Sequence, residues 1–445
     1  MTTAALSLEA TPPLWVPVQF LVTAPLFGVV FALALTAMGP EVLLSRWMPG
    51  LIGASHLLVL GYLATAMFGA LQQMLPVLLG APVPRAGTVS RVTLGLVIIG
   101  TLALTAGLAW IEVRAVRIGA ALLLPGVLLF ALSAAASLFR SQARDATLLA
   151  MTLAILALVI ATGLGLWLAA GHMGIGVVLA RPITDIHLAW GLIGWVALLI
   201  AAVAVHVVPM FQITPPYPRP FVLAFAPAVF LLLLAHSAIH VIGPDATWTR
   251  LGAVLLEAAL AGMLVWFGIL TLWLLARRRR RQKDVTLAFW RLGIATLLAS
   301  VALWSIGRLV PGSVPPAALE LTAGWLFISG FALSIVNGML YKIVPFLVWL
   351  HLNQALTRAG LRGFRIPTLY DAIPPPRMRA QFRIHAAALA FGLAAPWLHW
   401  AFYPALAAFG ISSAFLFLNL IHALHRYQRT SRSLRRAAAS SAGAA

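Results

Sequence analysis

The sequence predicts an all-α integral membrane protein of about twelve transmembrane helices in three pseudo-symmetric four-helix units. Three observations carry this expectation. Of 445 residues, 62% are apolar and only 9% charged, whereas soluble domains carry about 25% charged residues. Mean hydropathy is +1.00, and charge-poor runs longer than the ~18 residues that mark a bilayer-crossing helix recur along the chain. Finally, the pattern of the second run returns twice, with its proline displaced by 133 and then 136 residues.

The runs fall at about 14–39, 50–79, 88–111, 115–139, 146–170, 184–211, 219–243, 249–276, 285–307, 317–350, 381–402 and 404–425. They group into units 14–139, 146–276 and 285–425, after an N-terminal segment 1–13 and before a basic tail 426–445 expected to be disordered. No basic region precedes the first run, so the start does not read as a cleaved signal peptide. The tenth run is long enough to continue past the bilayer as helix. Trp15, Trp47, Trp110, Trp248 and Trp400 sit near run ends, as in aromatic belts.

Charge sets the expected orientation. With the N-terminus inside, 23 of the 30 cations fall on inner loops and the C-tail, among them the block 277–283, RRRRRQK. Six fall outside (Arg46, Arg114, Arg117, Arg181, Arg250 and Arg308), and Lys342, well inside the tenth run, is assigned to neither side. This positive-inside bias predicts that both termini are cytoplasmic in a bacterial inner membrane. The net charge of +20 thus reports orientation and contact with membrane lipids, anionic ones above all, and not nucleic acid. The connection 351–380, rich in Arg, Pro and aromatics, reads as an interfacial segment or a docking surface for other membrane subunits. The absence of cysteine excludes disulfides, thiolate metal sites and a Cys nucleophile, leaving His, Met and carboxylates as ligands. No phosphate-binding loop, dinucleotide fingerprint or catalytic Ser-His-Asp arrangement stands in credible context.

Runs two, six and ten share a polar group near the outer end, small residues in the middle and an inner hydrophobe-Pro-hydrophobe triplet at Pro76, Pro209 and Pro345. Three residues before each proline stands a polar side chain: Gln73, His206 and Lys342. Such internal repetition marks many membrane folds.

The chemistry-bearing residues cluster near the outer face. His236 and His240 lie one helical turn apart and so share a face. They suit two ligands to one Cu or Zn ion, with His187 as the third from the neighbouring run. The alternative is a pair of interfacial histidines bonded to loop carbonyls. His56 opens the second run at the level of His187 and Glu320, as a haem or copper ligand or as a helix cap beside Ser55. His172 and His399 bring six of the eleven histidines to that side. Lys342 is expected either to snorkel to the headgroups or to line a polar path with Gln73 and His206. Glu257, in the middle of run eight, reads as hydrogen-bonded across helices or as a member of that path.

On these residues the sequence resembles the catalytic subunit of the haem-copper oxidases, especially the C-family oxidases, the nitric oxide reductases and the NnrS-type membrane proteins. The likeness rests on His187 followed after 22 residues by Pro209, on His236 and His240 about 50 residues downstream, and on GMLYKIVP at 338–345. It implies three arcs of four helices, copper on His187, His236 and His240, a low-spin haem b on His56, and proton uptake along the Lys342 side. It further implies respiratory electron transfer or nitric oxide and copper handling, with a periplasmic electron carrier as partner. Two departures set this chain apart. Where the family's tenth helix carries two haem-ligating histidines this one has Ala323 and Trp325, and the helix-7 histidines are spaced i, i+4 instead of adjacent. Ordinary oxygen reduction is therefore not expected. The competing readings are a metal-free structural subunit of a membrane complex and an ion- or proton-coupled transporter using Glu257 and Lys342.

Overall fold

A computed structural model describes residues 11–142, 145–177, 179–242, 247–279, 284–309, 316–361 and 364–443, all of whose regular structure is helical. The long helices are α1 (Trp15–Met38), α2 (Pro49–Leu79), α3 (Ala86–Ala109), α4 (Val113–Arg140), α5 (Ala146–His172) and α6 (Arg181–Gln212). They continue as α7 (Arg219–Ile242), α8 (Thr247–Ala276), α9 (Val285–Leu309), α10 (Pro316–Ala359), α11 (Pro375–Ala394) and α12 (Phe402–Gly443). Among the described residues eleven helices are long and apolar enough to cross a membrane. The chain is a multi-pass helical membrane protein.

The eleventh expected span, 381–402, differs. The helix there is α11, which starts six residues earlier than the apolar run because Pro374 caps it and prolines fill its first positions. It ends at Ala394, just before Pro396, which has no N–H to extend the ladder. Its first half thus carries Arg377, Arg379 and Arg383, and it lacks the composition of a bilayer span. The tail is also corrected: α12 runs without a break to Gly443. Ala, Leu and Arg dominate residues 423–439, and such good helix formers propagate a helix already nucleated by the apolar span. The connection 351–380 is likewise half helical, since α10 reaches Ala359 and a one-turn helix, Leu369–Ala372, closes on a Thr368–Asp371 capping box. Residues 1–10 and 280–283, which include most of the cationic block, lie outside the described residues.

Helices α2, α6 and α10 are the inner helices. Of their most apolar stretches 67%, 72% and 83% is buried, against 22–56% for the other spans. They touch one another pairwise. Phe68 of α2 meets Trp195 of α6, Phe211 of α6 meets Phe346 of α10, and the Tyr62 hydroxyl of α2 donates to Asn337 Oδ1 of α10 at 2.7 Å.

The inner helices share an internal plan. Each widens to π-helical geometry for eight residues, at Leu57–Ala64, Trp190–Ala197 and Leu326–Leu333, before tightening into an α-helix that contains Pro76, Pro209 or Pro345. The π segments begin 133 and 136 residues apart, the same displacement as the prolines. Each carries glycine at its fifth position followed by a buried aromatic: Gly61–Tyr62, Gly194–Trp195 and Gly330–Phe331. A Cβ at Gly61 would collide with Phe27 of α1 and one at Gly330 would meet Thr296 of α9 at 2.7 Å, so only glycine lets the wider helix pack this closely. Wide turns of this kind concentrate at functional sites. Here the first and third begin directly after His56 and Trp325, and the second begins three residues after His187.

Candidate functional site

A cavity of about 1170 Å³ opens among the helix ends that carry the histidines, with walls that are mostly apolar. His56 of α2, His172 at the end of α5, His187 of α6, and His236 and His240 of α7 all line it. Five of the six histidines expected near one face therefore converge on one space. His399 is exposed and not part of the lining.

The backbone fixes how three of these imidazoles are presented. His56 Nδ1 bonds the Ile52 carbonyl at 2.8 Å, His187 Nδ1 the Ala161 carbonyl at 2.9 Å, and His240 Nδ1 the His236 carbonyl at 2.8 Å. A carbonyl oxygen only accepts, so Nδ1 carries the proton in each neutral ring and Nε2 keeps the lone pair. A hydrogen bond from the far ring nitrogen fixes metal-ligating histidines in this same way. His236 is buried, and its Nδ1 has no hydrogen-bond partner among the described residues. An unpaired buried ring nitrogen costs about 1–3 kcal/mol, which a ligand would relieve.

Within the cavity the histidines fall into two groups. His56 and His187 face each other across α2 and α6, with ring centroids 6.4 Å apart and planes inclined by 25°. His236 and His240 are closer, at 4.3 Å between centroids. Glu257 of α8 joins them, so that one ligand atom from each of the three lies within 4.8 Å of the others. Of the two expectations for Glu257, a hydrogen bond across helices and a place on the Lys342 path, the structure shows the first. The structure places it among the cavity histidines, where Arg308 holds its Oε2 with Nε at 2.9 Å and Nη2 at 2.7 Å. His187, expected beside His236 and His240, stands instead with His56.

A charged strap spans the same end. Arg46, in the connection before α2, lies 2.6 Å from Asp185 of α6 and 3.2 Å from Glu320 of α10, and its guanidinium covers the Trp47 ring. One cation thereby ties the connection before α2 to α6 and α10, a role that the sequence did not reveal. Nearby on α10, Ala323 accepts through its carbonyl from Ser300, and Trp325 donates to the Leu389 carbonyl.

The second polar group lies toward the other ends of α6 and α10. Lys342 does not snorkel. Its Nζ is 2.5 Å from Asp284 Oδ2, with 10% and 3% of the two side chains exposed. Asp284 Oδ1 also accepts from the Thr286 amide and hydroxyl, and Gln212 donates to that hydroxyl. Burial pushes the Asp284 carboxyl up, but Lys342 and the Thr286 hydrogen bonds together outweigh it and hold the carboxyl below the ordinary aspartate range. His206 pairs with Thr147 Oγ1 at 2.7 Å, and buried Gln73 leaves Oε1 without a partner among the described residues. Gln73, His206 and Lys342 thus hold matched sequence positions with separate neighbours. A further histidine, His385 of α11, is buried against Ser334 of α10 with Nε2 2.8 Å from its hydroxyl. Nothing in the apolar spacing singled it out. No family model matches the sequence, and no curated protein does.

Proposed function

We propose that this protein binds haem or copper, or both, in the histidine-lined cavity, and that the bound group serves electron transfer or the handling of nitric oxide or copper at the membrane. The observation that carries the reading is the convergence of five histidines from α2, α5, α6 and α7 on one apolar cavity. Three of them have Nδ1 tied to backbone carbonyls, and His236 has a buried nitrogen left over. Histidines that merely cap helix ends need no shared space and no common tautomer. Imidazole nitrogen with a carboxylate suits Cu, Zn or Fe, and the apolar wall lowers the dielectric around a bound metal, which tunes its potential.

In this reading the three four-helix units form arcs around α2, α6 and α10. α11, packed against α12, makes the twelfth crossing beside the eleven apolar spans, and both termini are cytoplasmic in a bacterial inner membrane, on the 23-to-6 split of cations. The cavity then opens on the periplasmic side, where an electron carrier could dock. A metal-free structural subunit is the second reading, favoured by Ala323 and Trp325 where the resembling family has ligands and by the Arg308 partner that already satisfies Glu257. The reduced-minus-oxidised visible spectrum of protein purified from membranes, taken with its copper content, separates the two. A Soret difference band or about one copper per chain supports the first, and colourless, copper-free protein refutes it.

A further inference from the structure

The two histidine pairs differ in separation, and the difference has a coordination meaning. A ligating imidazole holds its ring centroid about 3.1 Å from the metal, a bond of about 2.0–2.1 Å plus about 1.1 Å of ring. Two such rings on one metal have centroids about 6 Å apart when trans, about 5 Å apart in a tetrahedron and about 4.4 Å apart at a right angle. The 6.4 Å between His56 and His187 matches only the trans case. The 4.3 Å between His236 and His240 matches only the right angle.

We infer that His56 and His187 are the two axial ligands of a single haem, held between α2 and α6. The inference deepens the proposed function and rests on it. Trans ligation leaves the whole equatorial plane of the metal to a macrocycle, and a cavity of about 1170 Å³ with mainly apolar walls offers the room that a bare two-coordinate ion would not need. Both rings keep the Nε2 lone pair, because each Nδ1 is committed to a carbonyl, Ile52 for His56 and Ala161 for His187. The planes incline by only 25°, so both rings can align with one direction across a porphyrin. Gly165 of α5 makes the space for the second ligand, since a Cβ there would stand 2.9 Å from His187 Cε1. The third inner helix lines the cavity with Glu320, Ala323, Gly324 and Trp325 but with no histidine. A haem with two protein ligands is therefore tied to α2 and α6, and His236, His240 and Glu257 remain a separate set with cis geometry.

The test adds hemin to the purified, detergent-solubilised full chain and reads its visible and electron paramagnetic resonance spectra. The wild type should give a six-coordinate low-spin spectrum. His56→Ala and His187→Ala should each convert it to a high-spin form with one axial ligand, whereas His399→Ala, outside the cavity, should leave it low-spin. Imidazole added to His187→Gly should restore the low-spin form, which a misfolded variant would not do. A low-spin spectrum that persists in His187→Ala overturns the assignment of the pair while the haem-binding reading stands. A wild type that takes up no hemin overturns both.

Discussion

Replacing Asp284 with Asn tests the Lys342 ion pair as the anchor between the start of α9 and the middle of α10. The substitution keeps an oxygen that accepts from Thr286 and removes only the charge. At 2.5 Å the attraction between unit charges is about 7 kcal/mol at an effective dielectric of ~20, and desolvating each ion costs several kcal/mol. The net worth of the intact pair is therefore small. Removal of one partner is different, because Lys342, with 10% of its side chain exposed, is left as an uncompensated buried charge. Cases of that kind cost about 3–5 kcal/mol. Equilibrium unfolding in mixed micelles should show this loss for Asp284→Asn, and the double variant Asp284→Asn/Lys342→Met should recover most of it. The pair also predicts a pH dependence. Because the folded Asp284 carboxyl is held below its ordinary value, its contribution is full above the unfolded aspartate range near ~3.9. It is lost as pH falls through the lower folded value. Equal stability of the single and double variants, or an unchanged acid limb in Asp284→Asn, would refute the reasoning.

Three other substitutions have defined outcomes. Gly165→Ala places a methyl 2.9 Å from His187 Cε1 and should weaken hemin binding at least several-fold with little loss of helicity, as read by spectral titration and circular dichroism. Tyr62→Phe removes the hydroxyl that reaches Asn337 and leaves a buried amide oxygen unpaired. The expected cost is about 1–3 kcal/mol in the same unfolding assay, and a change below the assay's error would mean that the amide has another partner. Glu257→Gln removes the carboxylate beside His236 and His240 and frees Arg308. Titration with Cu²⁺ or Zn²⁺ should show at least tenfold weaker binding at that set, and an unchanged affinity would leave the two histidines as the whole site.

The inner helices were legible because their constraints are local. A polar group at the outer end, small residues that let helices approach and a hydrophobe-Pro-hydrophobe triplet at the inner end all occur within one run. Three copies of that pattern stand out against apolar background. The π geometry itself was missed, although Gly61, Gly194 and Gly330, each followed by a ring, were a readable signal. The histidines were legible as a set because ionisable groups in apolar runs are few. Their grouping was not, since residues at one depth can lie on any side of a bundle. His187 therefore joins His56 and not His236, and Glu257 faces the histidines and not Lys342. Asp284 was hidden for a similar reason. It sits at the edge of a cationic block, where a carboxylate reads as solvated, and its partner lies 58 residues further on. The disordered tail and the bounds of the eleventh run failed on composition, which counts charge without regard for where a helix can begin. Proline placement starts α11 early, and alanine-rich sequence lets α12 run on.

The presence of a metal in the histidine cavity is most directly tested by iron and copper per chain in protein purified without added hemin or metal. Wild type should be measured beside His187→Ala and His236→Ala. The expected result is iron, copper or both at near one per chain in the wild type. Iron should fall in His187→Ala and copper in His236→Ala. Metal-free wild type, or the same content in all three proteins, would contradict the assignment of the cavity as a metal or haem site.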